Sequence, residues 1–283
     1  MLNILQPWNL RTMQPILRTH LITEAMRRAY RDRSLYLGDP DFIQIPMQRL
    51  ISRNYAAGLR ASINPDKATP SALLPGKLAP GEDDETTHFS IIDSAGNRVS
   101  ATQTVNLIYG SGMIVEGAGF LLNNEMDDFA LKPGTPNAFG VMGFAANLVA
   151  PGKRMLSSMT PSFMDNKDET VVLGTPGGSR IITMVLLGML AADAGADAQA
   201  ITALPRYHHQ YLPDKLYVEP DAFDASQIQG LTNLGHTVEV TKSTWGNMQT
   251  VVWDKKSNTL SAGSDPRNEV GLGLVVEAGK VKP

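Results

Sequence analysis

Chemistry in this chain begins at Thr86, within Asp84-Glu85-Thr86-Thr87-His88-Phe89-Ser90. An internal threonine is a poor nucleophile, because its hydroxyl keeps its proton and no base stands beside it. Cleavage of the Glu85–Thr86 bond would place a free α-amine on the same residue. With a pKa of roughly 7.7–8.0, that amine can take the hydroxyl proton near neutrality. A second feature is the pair Gly177-Gly178, read as a turn from a strand into a helix. Paired glycines let backbone N–H groups converge on a developing oxyanion, although an ordinary tight turn uses the same residues. A phosphate cradle fits less well, since the lysine of that motif does not follow. The stretch Asn123-Asn124-Glu125-Met126-Asp127-Asp128-Phe129 concentrates carboxylates and amides. It could bind an ammonium group or sit as a solvated acidic turn, and it lacks calcium-loop spacing. Ser157 and Ser158 offer adjacent hydroxyls for a carboxylate, or for capping a turn. His208-His209 is a weak metal candidate, because neighbours on a strand point to opposite faces.

Recognisable elements must hold these groups. Apolar residues recur at helical spacing over 15–31 with arginines between them, and Gly38-Asp39-Pro40 marks a stop. A second helix is expected from Met47 to Ser62. From Asn64 to Glu85 the composition turns to Pro, Gly, Ser, Lys and acids, the pattern of a long exposed linker within reach of cleavage. The period then changes to two. Phe89–Ile92 and Val99–Asn106 flank Asp93-Ser94-Ala95-Gly96-Asn97, a β-hairpin with Thr86 at its leading edge. Ser100, Thr102, Thr104 and Asn106 share one face of the second strand, which reads either as a polar wall beside the nucleophile or as a solvent-facing side. A strand over Thr170–Leu173 precedes the glycine turn and a helix over Arg180–Ala194. A short helix follows at Asp197–Leu204, then strands at Leu216–Val218, Thr237–Val240, Thr250–Trp253 and Leu260–Ala262, with a helix near Ala225–Leu234. This order predicts an α+β or layered α/β/α body.

The chain has 283 residues, a formal net charge of −3 and no cysteine. Disulfides and thiolate chemistry are therefore excluded. No basic stripe argues for nucleic acid or a membrane surface, and the apolar run Ile181–Ala192 is too short to cross a bilayer. Residues 1–20 lack the apolar core of a signal peptide, and the sequence opens as though inside a domain.

The order and spacing of these islands resemble the γ-glutamyltranspeptidase family. The resemblance runs through Tyr36-Leu37-Gly38-Asp39-Pro40-Asp41-Phe42, Pro75-Gly76-Lys77-Leu78-Ala79-Pro80, Thr86–Ser90, Thr102–Asn106, Asn123–Phe129, Leu156–Pro161, Gly174–Ile182, Pro205–His209 and Ser264–Arg267. It implies an N-terminal-nucleophile hydrolase with a four-layer αββα sandwich, incomplete on its large-subunit side. It also implies self-cleavage at Glu85–Thr86, giving the end of a large subunit (1–85) and a small subunit (86–283) that stay associated. Thr86 would attack glutathione or another γ-glutamyl compound, and water, an amino acid or a peptide would accept the acyl group. By the same resemblance Thr104 orients the Thr86 hydroxyl, and Asn106, Glu125 and Asp128 bind the substrate α-amino group. Ser157 and Ser158 bind its α-carboxylate, and Gly177 and Gly178 form the oxyanion hole. No cofactor or metal is implied. Lys132–Phe144 matches a lid loop, with Phe139 where some members place tyrosine. The family's large subunit extends beyond what residues 1–85 match and supplies a substrate-binding arginine there. Bacterial relatives are exported to the periplasm or outside. Two alternatives stand beside this reading: a related acylase acting on glutaryl-type amides, and a non-catalytic piece that needs a partner chain.

Overall fold

The computed structural model describes residues 1–74, 86–141, 143–268, 270–277 and 280–282. Glu85 and the Pro75–Pro80 motif lie outside the described residues. The fold is mixed α/β and divides into two compact units. The first comprises Met1–Asp83, Glu125–Ser157 and Tyr207–Ser243, and the second Asp84–Asn124, Ser158–Arg206 and Thr244–Pro283. This is a division by packing, different in kind from a division at residue 86 into covalent pieces.

The first unit is organised on the helix Pro15–Tyr36. Proline at its first position has the required φ and lacks only an N–H that the helix would leave unbonded. The helix runs beyond the periodic stretch 15–31 and ends just before the stop expected at Gly38-Asp39-Pro40, buried Asp32, Arg33 and Ser34 masking the apolar period in its last turns. Three of its arginines, Arg27, Arg28 and Arg33, are buried. Glu24, fully buried, accepts from Arg27 Nε at 3.1 Å and Arg28 Nη1 at 2.5 Å. Arg28 also donates to the Leu59 and Ser62 carbonyls at 3.1 and 2.8 Å, so the buried charges are paired and hydrogen-bonded. The expected helix 47–62 is two, Met47–Leu50 and Arg53–Ala61. The break falls at Ser52, whose side chain accepts the Tyr55 N–H at 3.1 Å as an N-cap.

Residues 64–74 are largely exposed, as a linker would be, but they are anchored at two points. Ala68 and Ser71 are buried, and downstream segments take up the backbone polar groups here: Ala68 N bonds Leu234 O at 2.6 Å and Ser71 N bonds Asp214 Oδ2 at 2.7 Å. Polar composition alone could not reveal those partners. Tyr207–His208 pairs antiparallel with Leu216–Val218, which runs parallel to Val238–Val240. The intervening helix Ala225–Asn233 starts in a capping box of Asp224 and Gln227. It packs on the long helix at Gly230, where a Cβ would lie 2.5 Å from Ile16.

The second unit holds an antiparallel sheet in the order Ser162–Asp165, Glu169–Gly174, Gln249–Asp254, Thr259–Ser264. Val171, Val172 and Leu173 are fully buried against the apolar helix Ile181–Asp193. The helix Ala198–Ala203 is capped by Asp197, which accepts Ala200 N at 2.7 Å. Two strands unforeseen from the sequence form a hairpin at Val275–Glu277 and Lys280–Lys282. The expected hairpin is present as Thr86–Ile92 paired with Arg98–Thr104, and Asp93 accepts the Ala95 and Asn97 N–H groups in its turn. Its amphipathicity is inverted. Phe89, Ile91 and Val99 are exposed, while Ser90 and Ser100 bond the Gln249 and Leu173 carbonyls of the sheet at 3.0 and 3.2 Å. The solvent-facing reading of the hydroxyl face is therefore wrong. Among the described residues, no helix is long and apolar enough to cross a membrane.

Candidate active site

The candidate residues divide between the units. Thr86, Thr104, Asn106, Ser158, Gly177 and Gly178 belong to the second, and Glu125, Asp128 and Ser157 to the first.

In the second unit, the register places Thr86 opposite Thr104, His88 opposite Thr102 and Ser90 opposite Ser100. Thr86 Oγ1 donates to Thr104 Oγ1 at 3.1 Å, and the same oxygen accepts Asn106 N at 2.8 Å. Asn106 is buried with φ of 77°, which turns the chain out of the strand, and its Nδ2 donates to Asn124 O at 3.1 Å. Asn106 therefore leaves the strand face on which alternation places it. Below Thr86 the hydroxyl ladder continues through His88, a residue that sequence reasoning missed. His88 Nδ1 meets Thr102 Oγ1 at 2.8 Å and Nε2 meets Ser90 Oγ at 3.0 Å. Burial lowers its pKa to about 4, so the ring is neutral at pH 7 and serves as a strut. Gly174 begins the glycine loop against that ring: a Cβ there would lie 2.2 Å from His88 Cε1. Strict alternation from Thr86 was the signal that could have singled out His88.

Gly177 has φ of 137° and precedes the 3₁₀ turn Gly178–Arg180, which leads into Ile181–Asp193. The helix expected from Arg180 thus starts one residue later. The positive φ at Gly177 favours glycine, and a Cβ there would meet Met184 Cε at 2.3 Å, the movable end of that side chain. The loop is held from Thr175, whose Oγ1 accepts Asn247 N at 3.1 Å. The Arg180 guanidinium lies 4.8 Å from the Trp245 ring centre.

In the first unit, Glu125–Asp128 forms a 3₁₀ turn, with Asp128 and Glu125 half-buried rather than on a solvated loop. Burial raises the Glu125 pKa. Asp128 Oδ1 accepts Asn137 Nδ2 at 3.3 Å, and the two residues line a narrow cavity with Arg33 and Asn147. Arg33 is buried, which lowers its pKa, and the Asp128 charge acts in the opposite direction. Asp127 accepts Ala138 N at 2.8 Å, and Gln210 Nε2 donates to Phe139 O at 3.1 Å, which holds both ends of the 137–139 stretch. Ser157 is exposed, and Ser158 O accepts Thr160 Oγ1 at 2.8 Å.

His208 and His209 take separate partners, Gln210 Oε1 at 2.9 Å and Asp214 Oδ1 at 3.2 Å. Ligand atoms of His20, Glu24 and His236 lie within 4.8 Å of one another, a cluster not anticipated from the sequence. His20 Nδ1 and His236 Nε2 hydrogen-bond at 2.8 Å and Glu24 is engaged by Arg27 and Arg28, while His236 Nδ1 is buried without a hydrogen-bond partner.

The profile of the gamma-glutamyltranspeptidase family matches residues 1–274. The chain is 44% identical over 251 residues to the glutathione hydrolase proenzyme of Escherichia coli, covering 88% of this chain and 43% of that protein. It is 44% identical over 263 residues to the same-named proenzyme of Pseudomonas aeruginosa, covering 91% and 46%. The chain thus spans less than half the length of these curated relatives. Among solved structures, a gamma-glutamyltranspeptidase chain from Pseudomonas nitroreducens matches with a TM-score of 0.62 and 45% identity, covering 68% of this chain and all of that one. A cephalosporin acylase from Bacillus halodurans matches with a TM-score of 0.79 and 25% identity, covering 99% of this chain and 47% of that one.

Proposed function

The chain belongs to the γ-glutamyltranspeptidase family, and we propose that it carries the nucleophile and acyl-binding groups of a γ-glutamyl hydrolase and transferase. The observation that carries this reading is the hydrogen bond from Thr86 to Thr104 at the first residue of a strand, directly after the Glu85–Thr86 bond. In the first step Thr86 Oγ1 attacks the Glu85 carbonyl. The C–N bond breaks, the nitrogen takes the hydroxyl proton, and water opens the resulting ester. The new α-amine then accepts the Thr86 hydroxyl proton as the oxygen attacks the γ-carbonyl of glutathione or a similar donor. The Gly177 and Gly178 N–H groups receive the oxyanion, each donor being worth about 10²–10³ in rate. The leaving amine takes the proton, and water or an acceptor amine releases the γ-glutamyl group from the ester.

Asp128, with Asn106 and Glu125, binds the α-ammonium group, and Ser157 and Ser158 bind the α-carboxylate. The products 1–85 and 86–283 stay together through contacts such as Ser71 with Asp214 and Ala68 with Leu234. The complete fold in this reading is the four-layer αββα sandwich, and the site of action is the periplasm or the exterior. The likeness to a cephalosporin acylase supports a second reading, action on glutaryl-type amides. Asp128 favours the first, because a glutaryl group has no ammonium for it to bind. Initial rates on γ-glutamyl and glutaryl anilides decide between them: a γ-glutamyl preference is expected, and equal rates would favour the acylase.

A further inference from the structure

We infer that Asn147 fixes the spacing between the two ends of the substrate clamp, resting on the reading in which Asp128 binds the ammonium and Ser157 the carboxylate. Asn147 is 6% exposed, on the turn Ala145–Asn147. Its Nδ2 donates to Asp128 O at 2.7 Å, while its Oδ1 accepts Leu156 N at 3.1 Å. The partners fix which way the amide points, since a carbonyl can only accept and an N–H only donate. One planar group thereby joins the main chain of Asp128 to that of the residue before Ser157. The Asn147 backbone adds a third tie, its carbonyl accepting Ala130 N at 2.9 Å. All these residues lie in the Glu125–Ser157 segment of the first unit.

Asn147 need not touch the substrate to act. A zwitterion held at both ends gains from the second contact only if the two sites stand at the right separation. Asn147 is therefore a positioning residue, and its loss should uncouple the ends rather than weaken either.

Three anilide donors test this on the full-length protein: γ-glutamyl, with both charged groups; glutaryl, with the carboxylate alone; and 4-aminobutyryl, with the ammonium alone. In Asn147→Ala, kcat/KM for the γ-glutamyl donor should fall by about tenfold or more, mainly through KM, while the single-ended donors change by less than about threefold. Asn147→Asp keeps the acceptor for Leu156 N and loses the donor to Asp128 O, and it decides by the same criterion if the alanine variant does not fold. An equal fall on all three donors means a merely structural role and overturns the inference. So does an unchanged γ-glutamyl preference in a folded variant. A parent protein with no γ-glutamyl preference sinks instead the clamp reading on which the inference rests.

Discussion

Gly174→Ala attacks the contact that ties the Thr86 hairpin to the glycine loop. The added Cβ would lie 2.2, 2.4 and 2.6 Å from three atoms of the His88 ring. Ordinary contact begins near 3.4 Å, so the ring must retreat by roughly 1 Å. It has little freedom to do so, because Thr102 and Ser90 hold its two nitrogens. Overpacking costs about 1–3 kcal/mol, and each displaced hydrogen bond adds about 0.5–1.5 kcal/mol. Together these give a destabilisation of about 2–6 kcal/mol, or a Tm lower by roughly 5–20 °C for a chain of this size. Calorimetry or thermal circular dichroism reads this directly. Removing the ring restores space, so Gly174→Ala combined with His88→Ala should be more stable than the sum of the single changes predicts, by about 1–3 kcal/mol. A Gly174→Ala protein as stable as the parent, or strict additivity in the double variant, would show that His88 and Gly174 are not tightly packed.

Thr104→Val removes the acceptor shared by the Thr86 hydroxyl and the buried Asn106 N–H. The kcat on γ-glutamyl donors should drop about 10- to 100-fold with KM little changed, and Thr104→Ser should restore most of it; parental kcat in the valine variant contradicts the role. Asp128→Asn should lower γ-glutamyl kcat/KM by about 10- to 150-fold, the worth of a charged hydrogen bond, and leave glutaryl hydrolysis almost untouched. Stability should also depend on pH through buried neutral histidines. Burial lowers His88 and His209 to about 4 and His236 to about 3, whereas unfolded histidine titrates near 6.5. The unfolded state binds the extra protons, so this stability is complete above about pH 6.5 and is lost as pH falls toward 4. Urea unfolding between pH 7 and 5 should show it, with a shallower slope in His88→Gln; a flat profile contradicts the neutral assignment.

Much of the second unit was legible because its signals are local. The period-two residues, the Asp93–Asn97 turn and the strand leading into paired glycines each correspond to an observed element. What escaped was partner-dependent. Periodicity could establish that Ser100, Thr102 and Thr104 share a face, but not that the face is covered while Phe89 and Ile91 are exposed. Burial of Arg27 and Arg28 depends on Glu24 and on carbonyls more than thirty residues away, so a helix that looks amphipathic is enclosed. The anchoring of Ala68 and Ser71 was not legible because their backbone bonds go to residues 234 and 214, far along the chain. For the candidate site, residue type and order pointed to Thr86, Thr104 and Asp128. The supporting His88, Asn137 and Asn147 carry no type-specific signature, since their importance lies in whom they meet.

The central claim is that Thr86 becomes the nucleophile by cleavage of the bond before it. Intact-mass and N-terminal analysis of the purified protein tests this, alongside Thr86→Ala. The parent should yield a fragment beginning at Thr86 and then carry a γ-glutamyl ester on that residue when a donor is added, while Thr86→Ala should stay one chain and acquire no label. Cleavage elsewhere, or γ-glutamyl hydrolysis that survives Thr86→Ala, would contradict it.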